Sequence, residues 1–153
     1  MKKVLLAIEL STPSAEFVLQ KAQETIGPDV QLEVVHVVDP ASMSYSVDPS
    51  MTGHIYQQQY DQTMANARAR MRELCEPFGL DESQLHVRYG RVAPQIHDLL
   101  REGDFDTCMI GSHGYSGWRR VLGSVAASVL HGAPVNTLVF SLAPLQKTQN
   151  EHS

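Results

Sequence analysis

Thr107-Cys108-Met109-Ile110-Gly111-Ser112-His113-Gly114 passes from an apolar run of strand length straight into a glycine-rich turn. Such a junction predicts a buried strand over 107–110 that ends in a loop where the backbone must turn tightly or approach something closely. Downstream, Leu122-Gly123-Ser124-Val125 leads into apolar positions at helical spacing, Val121, Leu122, Val125, Val129 and Leu130, and Gly132-Ala133-Pro134 supplies the stop. Strand, glycine loop and helix in that order make one repeat of a wound α/β sheet.

Four further β-branched apolar runs fit the same scheme, over 4–8, 32–38, 85–89 and 135–140. Between them lie helical patterns. Ala15, Val18, Leu19, Ala22 and Ile26 define one apolar face, with Ser11 or Thr12 placed to cap it and Pro13 suited to its first turn. Tyr56, Tyr60, Met64, Ala67, Met71, Leu74 and Phe78 follow one another in steps of four or three, which predicts a long helix over 55–78 covering a sheet. Ile96, Leu99 and Leu100, introduced by Pro94, give a third helix. The alternation predicts a single α/β domain, a doubly wound and mainly parallel sheet with right-handed crossovers and helices on both faces. Ligands of such sheets sit beyond the carboxyl ends of the strands, where the strand order reverses. Residues 39–53, rich in Ser, Pro, Met and Asp, are expected to form a loop after the second strand, and 143–153 a polar tail beyond a domain of residues 1–142.

With 153 residues, 42% of them hydrophobic and 19% charged, and a mean hydropathy of -0.20, the chain can bury one core. It has no run of the roughly 18 apolar residues that a membrane span needs. A net charge of -5 argues against a general nucleic-acid binder. The charge is unevenly spread: of the 17 acidic residues, only Glu151 follows Asp106, so the glycine-rich segment is free of carboxylates and contains Arg119 and Arg120. Cys75 and Cys108 lie in different elements without CxxC spacing, which points to reduced, structural thiols and, with an N-terminal apolar run interrupted by Glu9, to a cytoplasmic protein.

A Gly-Ser step opening a helix offers unpaired N–H donors and a hydroxyl at the positive end of a helix dipole, which suits a phosphate chain. The residues alone leave a second reading equally open, in which Gly111, Gly114 and Gly117 only permit a tight turn and the arginines are solvated. Other nucleotide and hydrolase motifs are missing. No glycine is followed by the lysine of G-x4-G-K-[ST], no G-x-G-x-x-G follows the first strand, and Gly114-Tyr115-Ser116-Gly117-Trp118 departs from G-x-S-x-G at its last position. A phospho-receiver domain would need an acceptor Asp after the third strand and a Lys after the last, where Tyr89-Gly90 and Phe140-Ser141 stand. The histidines form no HxH or HxxxH pair: His36 and His86 are expected in strands, His97 and His131 on helices, His54 in the loop and His152 in the tail. His113, inside the glycine segment, is expected to shape that loop. Trp118 could stack on a ligand or pack on the protein, and the sequence leaves both open.

Taken together, the opening strand with Glu9-Leu10-Ser11, the strand end Val35-His36-Val37-Val38-Asp39, and Ile110-Gly111-Ser112-His113-Gly114 leading to Leu122-Gly123-Ser124-Val125 resemble the universal stress protein family over nearly the whole chain. The resemblance implies a five-stranded parallel sheet of order 3-2-1-4-5 and a homodimer formed through the last strand, from Val135 to Phe140. It also implies, for those members that bind ATP, a G-x2-G-x9-G-[ST] pattern whose fixed positions correspond to Gly111, Gly114, Gly123 and Ser124. Adenine and ribose contacts would then fall on Ala7, Glu9, Val37 and Ile110, with Val125 beside the Gly-Ser step. Three departures from the family pattern stand out: eight residues rather than nine separate Gly114 from Gly123, Glu9 stands where Asp is common, and Ala7 where proline is frequent. The function so implied is a regulatory or sensing role through an adenine nucleotide, ATP with Mg²⁺ carried on its phosphates, with AMP or ADP as other candidates. The alternative is a dimeric stress protein that works through contacts with a protein partner and binds no nucleotide. No residue is placed to activate water, so at most weak ATP hydrolysis is expected.

Overall fold

The computed structural model describes residues 1–10, 13–42, 53–112, 122–142 and 145. Among them the chain forms five strands, β1 (Lys3–Ala7), β2 (Gln31–Val38), β3 (Leu85–Tyr89), β4 (Thr107–Gly111) and β5 (Asn136–Phe140), and four α-helices, α1 (Ser14–Thr25), α2 (Gly53–Cys75), α3 (Val92–Glu102) and α4 (Ser124–Gly132). All pairings are parallel and the strand order is β3-β2-β1-β4-β5, as expected. The order reverses between β1 and β4, whose registers run from Val4 opposite Thr107 to Ala7 opposite Ile110.

Alternation along each strand divides the core in two. Val4, Leu6, Val34 and Met109 face α1 and α2, where Val18, Leu19, Ala22, Met71 and Cys75 meet them. Leu5, Ala7, Val35, Val37, Cys108 and Ile110 face α3 and α4, packing on Ile96, Leu99, Leu100, Ala126 and Val129. The central strands are therefore apolar on both faces, which is why they read as continuous hydrophobic runs. Both cysteines are free and buried, and burial pushes their thiols up, to about 11 for Cys75 and about 12 for Cys108. At the opposite end from the strands' carboxyl termini, Asp106 accepts hydrogen bonds from the backbone N–H groups of Lys2 (2.7 Å) and Lys3 (2.9 Å), fastening the start of β1 to β4.

Several boundaries differ from those the sequence suggests. The long helix starts at Gly53, so His54 is helical rather than part of a loop, and it ends at Cys75, where a single 3-10 turn (Glu76–Phe78) takes over. Pro77 explains the break, because the residue before a proline disfavours the helical conformation. Tyr56 and Tyr60 lie on the expected apolar seam yet are exposed, and Cys75 rather than Leu74 completes the buried set. Pro13 precedes α1 at the cap position instead of entering its first turn, and Ser11 and Thr12 lie outside the described residues. In α4 the buried positions are Ala126 and Val129, while Val125 and Leu130 are exposed. Within the supposed polar tail, Leu145 packs against the α1/α2 side of the core.

Candidate functional site

At the reversal point the carboxyl ends of β1, β2 and β4 and the amino ends of α1 and α4 enclose a cavity of about 430 Å³. This lies within the roughly 300–1,000 Å³ usual for small-molecule pockets. Its floor is apolar: Ala7, Val35 and Val37 from the strands, Ile110 from β4, and Val92 and Ile96 from α3. Glu9 and Asp39 stand at the rim, just past β1 and β2, and Ser14 and Ala15 close the side formed by α1. Of the residues expected at a ligand site, Ala7, Glu9, Val37, Ile110, Gly111, Gly123, Ser124 and Val125 all line this one cavity. Gly114 lies outside the described residues, as do His113, Trp118, Arg119 and Arg120.

The two ends of the glycine segment are joined directly. Gly123 N–H donates to the carbonyl of Ser112 at 2.6 Å, Ser112 N–H donates to the carbonyl of Phe140 at 2.8 Å, and the Ser112 hydroxyl accepts from Leu142 N–H at 3.2 Å. Ser112 thus ties β4, β5 and the start of α4 together. The ladder of α4 begins with Ala127 N–H on the carbonyl of Gly123 at 2.8 Å. Helix geometry leaves the N–H groups of Ser124, Val125 and Ala126 without acceptors inside the helix. Gly123, at the cap with φ -60° and ψ 154°, brings no side chain to them, and all three residues border the cavity. The aligned peptide dipoles make this rim partially positive, opposite the carboxylates at the ends of β1 and β2. A ligand with an apolar planar part, hydroxyl groups and an anionic end matches that polarity.

Gly111 serves packing as well as the turn. A Cβ there would come within 3.3 Å of a Leu142 methyl and 3.4 Å of a Val18 methyl, so α1 and the segment after β5 pack closely over the bare strand end.

His36 was a strand residue of no evident chemistry in the sequence, and its place at the cavity is a feature that reading missed. Its ring lies half-buried beside Ile8, and Nδ1–H donates to the Ile8 carbonyl at 3.0 Å. Burial lowers its pKa below the ordinary histidine value, outweighing the bond to Ile8 and the nearby Glu9, which raise it. The ring is therefore neutral at pH 7, with Nε2 bare. A period of two along β2 would have placed residue 36 on the α1/α2 face, but not at the cavity, because that depends on where the strand ends. Asp39 was noted only as a strand-end carboxylate; here it borders the cavity and its Oδ1 accepts from Ala41 N–H at 2.8 Å. Among the described residues no group of three or more His, Cys, Asp or Glu is arranged to hold a metal ion, and no helix is long and apolar enough to cross a membrane.

The model of the universal stress protein family matches residues 1–141. Universal stress protein A homolog 1 of Coxiella burnetii is 29% identical over 138 residues, covering 90% of this chain and 94% of that protein. Among solved structures, a universal stress protein in complex with cAMP is similar with a TM-score of 0.61 at 17% identity, covering 92% of this chain and 96% of that one. A universal stress protein family member from Arabidopsis thaliana with AMP bound has a TM-score of 0.56 at 17% identity, covering 92% of each chain. At these identities the structural likeness establishes the shared fold.

Proposed function

The chain belongs to the universal stress protein family, and from that premise we propose that it binds an adenine nucleotide, ATP in the first instance, in the cavity between β1 and β4. One observation carries the reading: the apolar floor, the Glu9 carboxylate and the uncapped first turn of α4 converge on a single cavity of suitable size. Adenine would lie on Ala7, Val37 and Ile110, the ribose hydroxyls would donate to Glu9, and the phosphates would accept from the N–H groups at Ser124 and Val125, with Gly111 and Gly114 giving the backbone room. That related structures contain cAMP and AMP supports the nucleotide class. Mg²⁺ would arrive on the phosphates, where its charge would offset theirs. The nucleotide acts as a regulatory ligand in the cytoplasm, shifting the protein between states that a protein partner distinguishes.

The homodimer belongs to the same proposal. β5 is the edge of the sheet, and Leu138 on it, with Val125 and Leu130 on the neighbouring α4, is an exposed apolar side chain. An unpaired apolar edge is a natural partner for its own copy across a two-fold axis.

The test is direct. Freshly purified protein is denatured, the supernatant analysed for nucleotide, and ATP with Mg²⁺ titrated by calorimetry into protein freed of ligand. Bound or titratable ATP, lost in Gly123→Val with the unfolding midpoint preserved, is the expected result. No released nucleotide and no heat at millimolar ATP would overturn the proposal in favour of a member that acts through protein contacts alone, the reading that the eight-residue spacing between Gly114 and Gly123 favours.

A further inference from the structure

Glu9 carries its carboxylate on a segment that has already left the sheet. The register of β1 with β2 ends at Ala7 opposite Val35, and one more backbone bond, from Ile8 N–H to the Val35 carbonyl at 2.9 Å, follows. Beyond it the chain is held by side chains. His36 Nδ1–H donates to the Ile8 carbonyl at 3.0 Å, and the Arg70 guanidinium of α2 donates to the Leu10 carbonyl at 2.9 Å. The peptide group before Glu9 is thus held by a ring from β2, and the carbonyl of the next residue, Leu10, by a cation from α2. Leu10 adds an apolar contact to Val38, Met64 and Ala67.

We propose that His36 and Arg70 are positioning residues for Glu9, fixing the backbone on both sides of it so that its carboxylate points into the cavity; the proposal rests on the nucleotide reading of that cavity. A glutamate has one more rotatable bond than an aspartate, so holding its backbone narrows the volume its carboxylate can sweep. Groups that meet a ligand need a supporting shell of this kind to stay within about 0.5 Å of a productive geometry. Arg70 has a second consequence: it makes the aim of Glu9 depend on the seating of α2, so a partner that shifts α2 would alter nucleotide affinity, and nucleotide would alter the response to that partner equally.

The experiment measures ATP·Mg²⁺ and AMP binding by calorimetry in wild type, His36→Leu, His36→Asn and Arg70→Gln, with each His36 variant repeated in a Glu9→Ala background. His36→Leu removes the donor and is expected to raise Kd about three- to tenfold, the range of one net hydrogen bond. His36→Asn places an amide nitrogen near the position of Nδ1 and should stay within about twofold of wild type. Where Glu9 is alanine, His36→Leu should change Kd by less than about 1.5-fold, since a residue that acts through another has no effect without it. An equal loss with and without Glu9, or no loss at all, overturns the proposal. A second readout needs no ligand: in nucleotide-free protein, amide exchange at Glu9 and Leu10 followed by NMR should accelerate about tenfold in His36→Leu and Arg70→Gln but not in His36→Asn. Unchanged exchange overturns the clamp. If wild type binds neither ATP nor AMP while the exchange pattern appears, the nucleotide reading falls and the clamp on Glu9 stands.

Discussion

Gly132 closes α4, and helix propensity with chain entropy would have Gly132→Ala stabilise the protein by roughly 0.5–1 kcal/mol. The packing around it reverses that sign. A Cβ on residue 132 would lie 2.5 Å from Cε1 and 3.0 Å from Nδ1 of His97, a residue of α3. The ring must move, yet its present position is what lets Nε2–H reach the Val129 carbonyl at 2.8 Å. Giving up that bond and leaving a carbonyl of the last turn without its partner costs about 2 kcal/mol. The balance is a variant less stable than wild type by about 1–1.5 kcal/mol. Urea unfolding followed by circular dichroism reads this as a lower midpoint at unchanged slope. The decisive arm is the His97→Ala background, where the obstacle is gone and Gly132→Ala should stabilise by about 0.5 kcal/mol. A Gly132→Ala protein at least as stable as wild type, or one that suffers the same loss without His97, would refute the reasoning.

Three further outcomes follow from the same structure. Asp106 is held at about 2 by hydrogen bonds from the N–H groups of Lys3 and Lys2 and from the Thr107 hydroxyl; because the folded value lies below the unfolded one near 4, its stabilisation is complete above about pH 4 and is lost as pH falls through about 2. Asp106→Asn should therefore be less stable at neutral pH and show a flatter acid limb between those limits in pH-dependent urea titrations. His36 has a folded pKa lowered chiefly by burial, so its stabilising contribution is present above about pH 6.5 and declines below it, and His36→Asn should remove that part of the stability profile. If the proposed dimer forms through β5, Leu138→Lys on its exposed edge should turn that dimer into a monomer in sedimentation velocity while leaving the circular dichroism spectrum intact.

The fold was legible because its signals are local and repeated. The runs at β1 and β4 are apolar on both faces and that at β2 nearly so, so each announced itself without knowledge of its neighbours, and each apolar helical stripe located a helix to within a few residues. Ala7, Glu9, Val37 and Ile110, which the family resemblance implies as ligand contacts, lie within two residues of the ends of three adjacent strands and line one cavity. What escaped the sequence depends on relations between elements. Tyr56 and Tyr60 share a stripe with Met64 and Met71, but only the carboxyl-terminal half of α2 lies over the sheet, and spacing carries no information about overhang. His36 looked like an ordinary strand residue because its partner, the Ile8 carbonyl, lies just past another strand and 28 positions away. The same holds for His97, whose meaning comes from Val129 and Gly132 on α4.

The bond from Gly123 N–H to the Ser112 carbonyl bears on how this segment can vary between relatives. Chain that departs and returns through one hydrogen bond is an exchangeable cassette, since the frame fixes its two ends regardless of what lies between. Dropping one residue from such a closed loop changes the closure entropy by only roughly 0.1 kcal/mol, so selection can lengthen or shorten it almost without regard to folding. The Ser112–Gly123 staple thereby fixes the start of α4 against β4 and β5 whatever chemistry the proposed ligand demands.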